Sequence, residues 1–253
     1  MSWEQYRKYY SAEFVREYCK NTSLEERNSF DDDVNIMVIG HLTHLDILID
    51  FYKGIKNVLF VVDNTEQQYK IDSLVENGFK VIVFNVPESS GFGNVNMQCG
   101  ASHLGAHYLN SIGKKYCIRM RSDQIILQLH KFINNFKFDK LGFLAYVNSE
   151  GGYLMDYCIT GPVSDMIDAF FYYENQPIQK PAEKKIVETF LNKRGLEINS
   201  SYDYLKNLFY FMTPTLEKFD INFLMIKQGY HDWTVAIPLQ PNLYFHQLIQ
   251  NND

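Results

Sequence analysis

The hydrophobic and polar positions of this chain change period at residue 34. Before it, Tyr6, Tyr9, Tyr10, Phe14, Val15 and Tyr18 recur at helical spacing, so residues 3–29 read as an amphipathic helical stretch. Ser23 and Glu26 stand at capping-box spacing and start a second short helix there. Asp31-Asp32-Asp33 is a hydrophilic break, a solvated cap ahead of the first strand. Beyond it, short apolar runs alternate with helical patterns. Strands are predicted over Val34–Gly40, Asn57–Asp63, Phe79–Asn85 and Lys115–Arg121, and helices over Leu45–Tyr52, Thr65–Asn77 and Asn94–Ile112. Strands apolar on both faces and separated by helices predict an α/β domain, its mostly parallel sheet flanked by helices.

The second half is less regular. The pattern predicts helices over Gln124–Phe136, Pro162–Tyr173, Pro181–Arg194 and Ser201–Met212. Strands are predicted over Leu141–Val147 and Tyr153–Ile159, with weaker ones over Phe223–Tyr230 and Val235–Ile237. No repeat or linker divides the chain. Residues 1–33 read as an N-terminal helical extension and 34–253 as a single domain.

Composition narrows the function classes. A net charge of −6 over 253 residues does not support a nucleic-acid partner. The four cysteines, Cys19, Cys99, Cys117 and Cys158, lack paired spacing and read as reduced thiols, which together with a start unlike a signal peptide implies a cytoplasmic protein. No apolar stretch reaches transmembrane length. The aromatic N-terminal helix offers a possible homodimer contact.

In a parallel sheet, ligands bind beyond the carboxyl ends of the strands. That rule selects Gly40, His41, Asp63, Asn85 and the turn Arg121-Ser122-Asp123. A carboxylate at a strand end suits a hard divalent cation with oxygen ligands, Mn²⁺ or Mg²⁺, and Arg119 and Arg121 share one face of their strand, where a guanidinium can grip phosphate. The plainer alternative has Asp123 capping the next helix and Arg121 pairing with a surface acid. Asn94 and Gln98 share a face at the start of the long helix, where free N–H groups attract anions; ordinary N-capping by Asn94 is the alternative. Gly91-Phe92-Gly93 lacks the third glycine of a dinucleotide fingerprint, and His103 and His107 lack the Glu and third ligand of a zinc-protease site. Asp156 lies inside an apolar strand, where a carboxylate needs a reason.

Three segments carry a family resemblance: Gly93-Asn94-Val95-Asn96-Met97-Gln98, Tyr116 to Asp123 (YCIRMRSD), and Asp156-Tyr157-Cys158-Ile159-Thr160-Gly161 before a helix. Over residues 34–175 the chain resembles the WavE-type lipopolysaccharide-synthesis glycosyltransferases, within the GT-A class of Rossmann-type nucleotide-sugar transferases. The resemblance implies a nucleotide-diphosphate-sugar donor, a glycan or glycolipid acceptor and a divalent cation. It places Asp123 at the cation, with His231 or Asp232 as a late ligand. Arg119 or Arg121 would neutralise the diphosphate, with Asn94, Asn96 and Gln98 near it or the ribose. Gly40 and Asp63 would border the nucleoside, and Asp156 would be the base, with Glu183 the runner-up. The chain departs from the class in two places: Arg121 stands where the first acid of Asp-X-Asp is usual, and Gly40-His41-Leu42 replaces a Gln-Gly-Pro-like turn. A nucleotidyltransferase and a non-catalytic nucleotide- or glycan-binding protein are the alternative readings.

Overall fold

Six consecutive buried residues in Val34–Ile39 (β1), and six more in Val58–Asp63 (β2), mark strands covered on both faces. The computed structural model describes residues 12–135, 137–148, 151–171, 181–212, 223–225 and 231–232. Helix Leu45–Tyr52 (α3) joins β1 to β2, and Gln68–Glu76 (α4) leads to Lys80–Phe84 (β3). A 3-10 turn at Phe92–Asn94 then opens the long helix Val95–Ser111 (α5), which returns the chain to Tyr116–Arg121 (β4). Strands Leu141–Asn148 (β6), Gly151–Pro162 (β7) and Phe209–Met212 (β8) complete a seven-stranded sheet of order β3-β2-β1-β4-β7-β6-β8. All its strands run the same way except β7, which is antiparallel to both β4 and β6. The expected α/β architecture, a mostly parallel sheet flanked by helices, is the one observed.

Strand alternation divides the core. Ile36 and Val38 of β1 join the cluster packed under α3 and α4, whereas Met37 and Ile39 face α5 and the helices Val163–Ala169 (α7) and Ala182–Lys193 (α8). Helix α5 lies unusually close to the sheet. A Cβ added at Gly105 would sit 2.9 Å from Val61 Cγ2, and one at Gly100 would sit 2.7 Å from Phe84 Cε2. Glycine at these two positions lets the helix descend far enough to form one wall of a cavity.

The N-terminal stretch forms Ala12–Asn21 (α1) and Leu24–Arg27 (α2), and the Ser23 hydroxyl accepts the Glu26 N–H at 3.1 Å, as the capping-box spacing predicts. Val15 is buried in the core, and Arg16 pairs with Asp46 and Asp50 of α3. Two predicted helices are corrected. Residues Gln124–Ile126 form a strand (β5) before the helix Leu129–Asn135 (α6), because Ile125 and Ile126 pair with Phe223–Met225 (β9). Likewise the helix expected over Ser201–Met212 stops at Leu208 (α9, Tyr202–Leu208), and the aromatic run that follows becomes β8. The strand expected at Val235–Ile237 lies outside the described residues, as do residues 1–11. Among the described residues no helix is long and apolar enough to cross a membrane.

Candidate active site

Parallel pairing brings the carboxyl ends of β1, β2, β3 and β4 to one rim. Ile39 aligns with Val61 on one side and Arg121 on the other, and Asp63 aligns with Phe84. The chain winds outward from β1 through β2 to β3, then crosses back to β4 on the far side of β1. This reversal is the switch point at which open α/β sheets leave a crevice. A cavity of about 260 Å³ occupies it. Its walls are Gly40, His41, Asp63 and Phe84 from the strand ends; Asn94, Met97, Gln98 and Ala101 from the start of α5; and Arg121, Ser122 and Asp123 from the turn after β4.

The turn after β1 is locked to the turn after β4. Gly40 has φ +111°, a conformation L side chains rarely adopt, and a Cβ there would lie 2.9 Å from Ser122 Oγ. That hydroxyl donates to the His41 carbonyl at 2.6 Å, and the Ser122 N–H donates to the Ile39 carbonyl at 2.8 Å. The His41 side chain is fixed from the β2 side. Its Nδ1 lies 3.2 Å from Asp63 Oδ2 and 3.7 Å from Glu66 Oε2, while 58% of the side chain stays exposed. Asp63 Oδ1 accepts the Thr65 N–H at 3.0 Å and also the Thr65 hydroxyl. Burial pushes the Glu66 carboxyl up, but the Leu42 N–H, Lys70 and the Gln67 N–H outweigh it and hold it below its ordinary range.

Across the crevice, Arg121 and Asp123 form a two-pronged pair. Arg121 Nε donates to Asp123 Oδ1 at 3.0 Å, and Nη2 donates to Oδ2 at 2.7 Å. The third nitrogen, Nη1, lies 3.7 Å from Asp156 Oδ1, and the guanidinium rests over the Tyr157 ring at 5.1 Å. Arg119 shares the face with Arg121 but is fully buried. It donates to Ser102 Oγ at 3.3 Å, to Gln98 Oε1 at 3.1 Å and to the Asp156 carbonyl. The Asp156 carboxyl faces both arginines, and the Glu183 carboxyl interacts with Asp156 and Arg119. Burial first, and the Asp156 charge second, push the Glu183 carboxyl above its ordinary range.

Of the residues expected at the site, Gly40, Asp63, Asn94, Gln98, Arg121 and Asp123 line the cavity together. Asn94 takes a left-handed conformation (φ +62°) and makes no side-chain cap bond, so the capping alternative does not describe it. Three others lie behind the wall. Asn96 is buried and donates to the Ser89 carbonyl at 2.8 Å, fastening the loop before α5. Arg119 reaches the cavity only through Gln98, whose amide it orients while Gln98 Nε2 donates to the Gly93 carbonyl at 3.3 Å. Asp156, expected as the base, is 3% exposed and faces the two guanidinium groups. His41 and Ser122, which strand-end position also selects, line the cavity with them, whereas Asn85 lies outside it; Glu66 gave no such signal, because its role arises from its contacts with His41 and the Leu42 N–H.

A divalent cation needs oxygen donors. Among the described residues, no three His, Cys, Asp or Glu side chains come together as a metal-holding group. Asp123 still suits a cation carried in on phosphate, since Mg²⁺ is typically held by one or two carboxylates plus phosphate oxygens and water. Both Asp123 oxygens already hold a positive group. His231 and Asp232 form a two-residue strand (β10) paired with β9, which pairs in turn with Gln124, the residue after Asp123. The backbone thus brings the late segment to the small sheet that starts beside the turn; the side chains of His231 and Asp232 lie outside the described residues.

No protein-family model matches the chain, and no curated protein does. Solved structures with a similar chain course include HddC from Yersinia pseudotuberculosis, at 14% identity and TM-score 0.36, matching 53% of this chain and 78% of that one. A 4-diphosphocytidyl-2C-methyl-D-erythritol synthase from Anaerococcus prevotii is 10% identical at TM-score 0.42, over 67% of this chain and 86% of that one. The inositol-1-phosphate CTP transferase from T. maritima is 10% identical at TM-score 0.38, over 64% and 82%.

Proposed function

We infer that the chain is a nucleotide-diphosphate-sugar transferase that passes a sugar to a glycan or glycolipid acceptor. The observation that carries this reading is the cavity at the β1/β4 switch point, with a strand-end carboxylate and a guanidinium facing each other at its mouth. Ligand pockets commonly span ~300–1,000 Å³, so this one suits the nucleoside end of a donor better than the whole of it. The nucleoside lies against Asp63, His41 and Phe84, and the diphosphate reaches the Arg121–Asp123 turn.

Each group has a chemical task in this arrangement. The Asp63 carboxylate, kept in place by Thr65, accepts a hydrogen bond from the base or ribose. Asn94 and Gln98 border the phosphates at the start of α5, where N–H groups favour an anion. Arg121 neutralises negative charge as the nucleoside diphosphate leaves. Asp123 would hold Mn²⁺ or Mg²⁺, with His231 or Asp232 completing the set; such a cation stabilises the leaving diphosphate as a Lewis acid. The loop after β1 is His41-Leu42-Thr43-His44, without the Gly-rich basic stretch a nucleotidyltransferase uses to activate a triphosphate.

The test is turnover. Purified protein with Mn²⁺ should slowly hydrolyse one sugar nucleotide and transfer its sugar when a glycan acceptor is supplied, and Asp123→Ala should abolish both. Undiminished turnover in that variant overturns the cation assignment. Release of pyrophosphate from a nucleoside triphosphate would favour the nucleotidyltransferase reading.

A further inference from the structure

Arg121 has two carboxylates within reach and makes hydrogen bonds to one of them. Nε and Nη2 grip both oxygens of Asp123, at 3.0 and 2.7 Å. Its remaining amino group, Nη1, stops 3.7 Å from Asp156 Oδ1, beyond hydrogen-bond distance. Asp156 is 3% exposed, and its other oxygen, Oδ2, accepts no hydrogen bond among the described residues; Arg119 Nη1 stands 4.0 Å from it. A buried carboxylate oxygen with no donor is costly, and it sits beside an arginine committed elsewhere.

We propose that Arg121 is a displaceable cap on Asp123, and that Asp156 is the positioning residue that receives the guanidinium when a divalent cation takes Asp123. This rests on the cation-assisted reading above. Shortening the Nη1–Oδ1 distance from 3.7 Å to about 2.9 Å is within the reach of a side-chain rotation. The Tyr157 ring, 5.1 Å from the guanidinium carbon, offers a face for Arg121 during the exchange. The exchange adds the two positive charges of the cation, which the incoming diphosphate offsets. In one arrangement Arg121 neutralises Asp123 and Arg119 stands over Asp156. In the other, both arginines serve Asp156 and the cation neutralises Asp123. A single carboxylate with a built-in competitor binds free cation weakly, so the exchange favours a cation that arrives already bound to diphosphate. Asp156 acts here through Arg121 and never touches substrate.

The probe is Mn²⁺ alone, its binding followed by water-proton relaxation on the full chain. Arg121→Gln removes the competitor and should tighten Mn²⁺ about tenfold, a gain that Asp123→Asn should cancel. Asp156→Asn should weaken Mn²⁺ about tenfold when Arg121 is present, because the cap loses its second seat, and less than about threefold in the Arg121→Gln background. Equal effects of Asp156→Asn in both backgrounds mean that it acts only as a distant charge, and the proposal fails. It fails too if Arg121→Gln leaves Mn²⁺ affinity unchanged or lowers it. Should Asp156→Asn not fold, the Arg121 Nε–H resonance of the wild type decides: adding Mg²⁺ should move it as its bond to Asp123 breaks, and an unmoved resonance overturns the cap. If these patterns appear but no sugar nucleotide binds, the cap stands and the transferase reading falls.

Discussion

Replacing Gly40 by alanine tests whether the two turns that frame the cavity depend on each other. Gly40 holds φ +111°, and the new Cβ would lie 2.9 Å from Ser122 Oγ. Backbone strain of that kind costs about 1–3 kcal/mol. Relieving the contact means turning Ser122 away from the His41 carbonyl, which it bonds at 2.6 Å, and losing that bond costs about 0.5–1.5 kcal/mol. The sum is about 2–4 kcal/mol, which for a chain of this size lowers Tm by roughly 5–15 °C. Scanning calorimetry reads it. Ser122→Ala alone should cost only about 1 kcal/mol, and the double variant should fall short of the sum of the singles, since the methyl then meets no hydroxyl. A Gly40→Ala protein melting within about 2 °C of wild type, or singles that simply add, would refute the reasoning.

Three further outcomes follow from the same contacts. Glu183→Gln should make stability less pH-dependent. Because the native carboxyl is raised above its ordinary range, the folded state keeps a proton the unfolded chain has released; stability is full below the ordinary value and is lost as pH rises through the native one. The variant should therefore gain a few degrees in Tm at neutral pH and nothing in acid, and a gain confined to acid would contradict the burial argument. Arg119→Met should cost about 3–5 kcal/mol in urea unfolding, because it strands a buried carboxylate and the Gln98 amide; Arg119→Lys should not restore stability, having one nitrogen for three partners. Gly100→Ala, whose Cβ would press on the Phe84 ring, should weaken ligand binding more than its effect on Tm suggests, since Phe84 lines the cavity; equal affinity in calorimetry would sink that link.

The first half of the fold was legible because each element obeys one local rule. Val34–Ile39 and Val58–Asp63 are apolar but for Asn35 and the strand-ending Asp63, as parallel strands buried on both faces require. The second half misleads where tertiary pairing overrides local pattern. Gln124–Ile126 reads as the start of a helix until β9 arrives from a hundred residues downstream to pair with it, and Phe209–Met212 continues a helical spacing yet adds to the sheet edge beside β6. The strand-end rule found six cavity residues because register alone brings parallel strand ends together. It could not separate Arg119 from Arg121. The two share a face, but Arg119 lies one step deeper under α5, and only the packed structure reveals its burial. The partnerships of Glu66 with His41 and of Asp156 with Arg121 likewise join residues 25 or more positions apart or on different strands, beyond any spacing rule.

The central claim is that the β1/β4 crevice holds a nucleotide diphosphate. Calorimetric titration of the common nucleoside diphosphates and their sugars, with Mn²⁺ present, into wild type and Asp63→Asn tests it most directly. The wild type should bind one base family with a Kd near or below about 100 µM, and Asp63→Asn, verified as folded, should weaken it at least about tenfold. No binding by any of these ligands, or binding that Asp63→Asn leaves untouched, would contradict it.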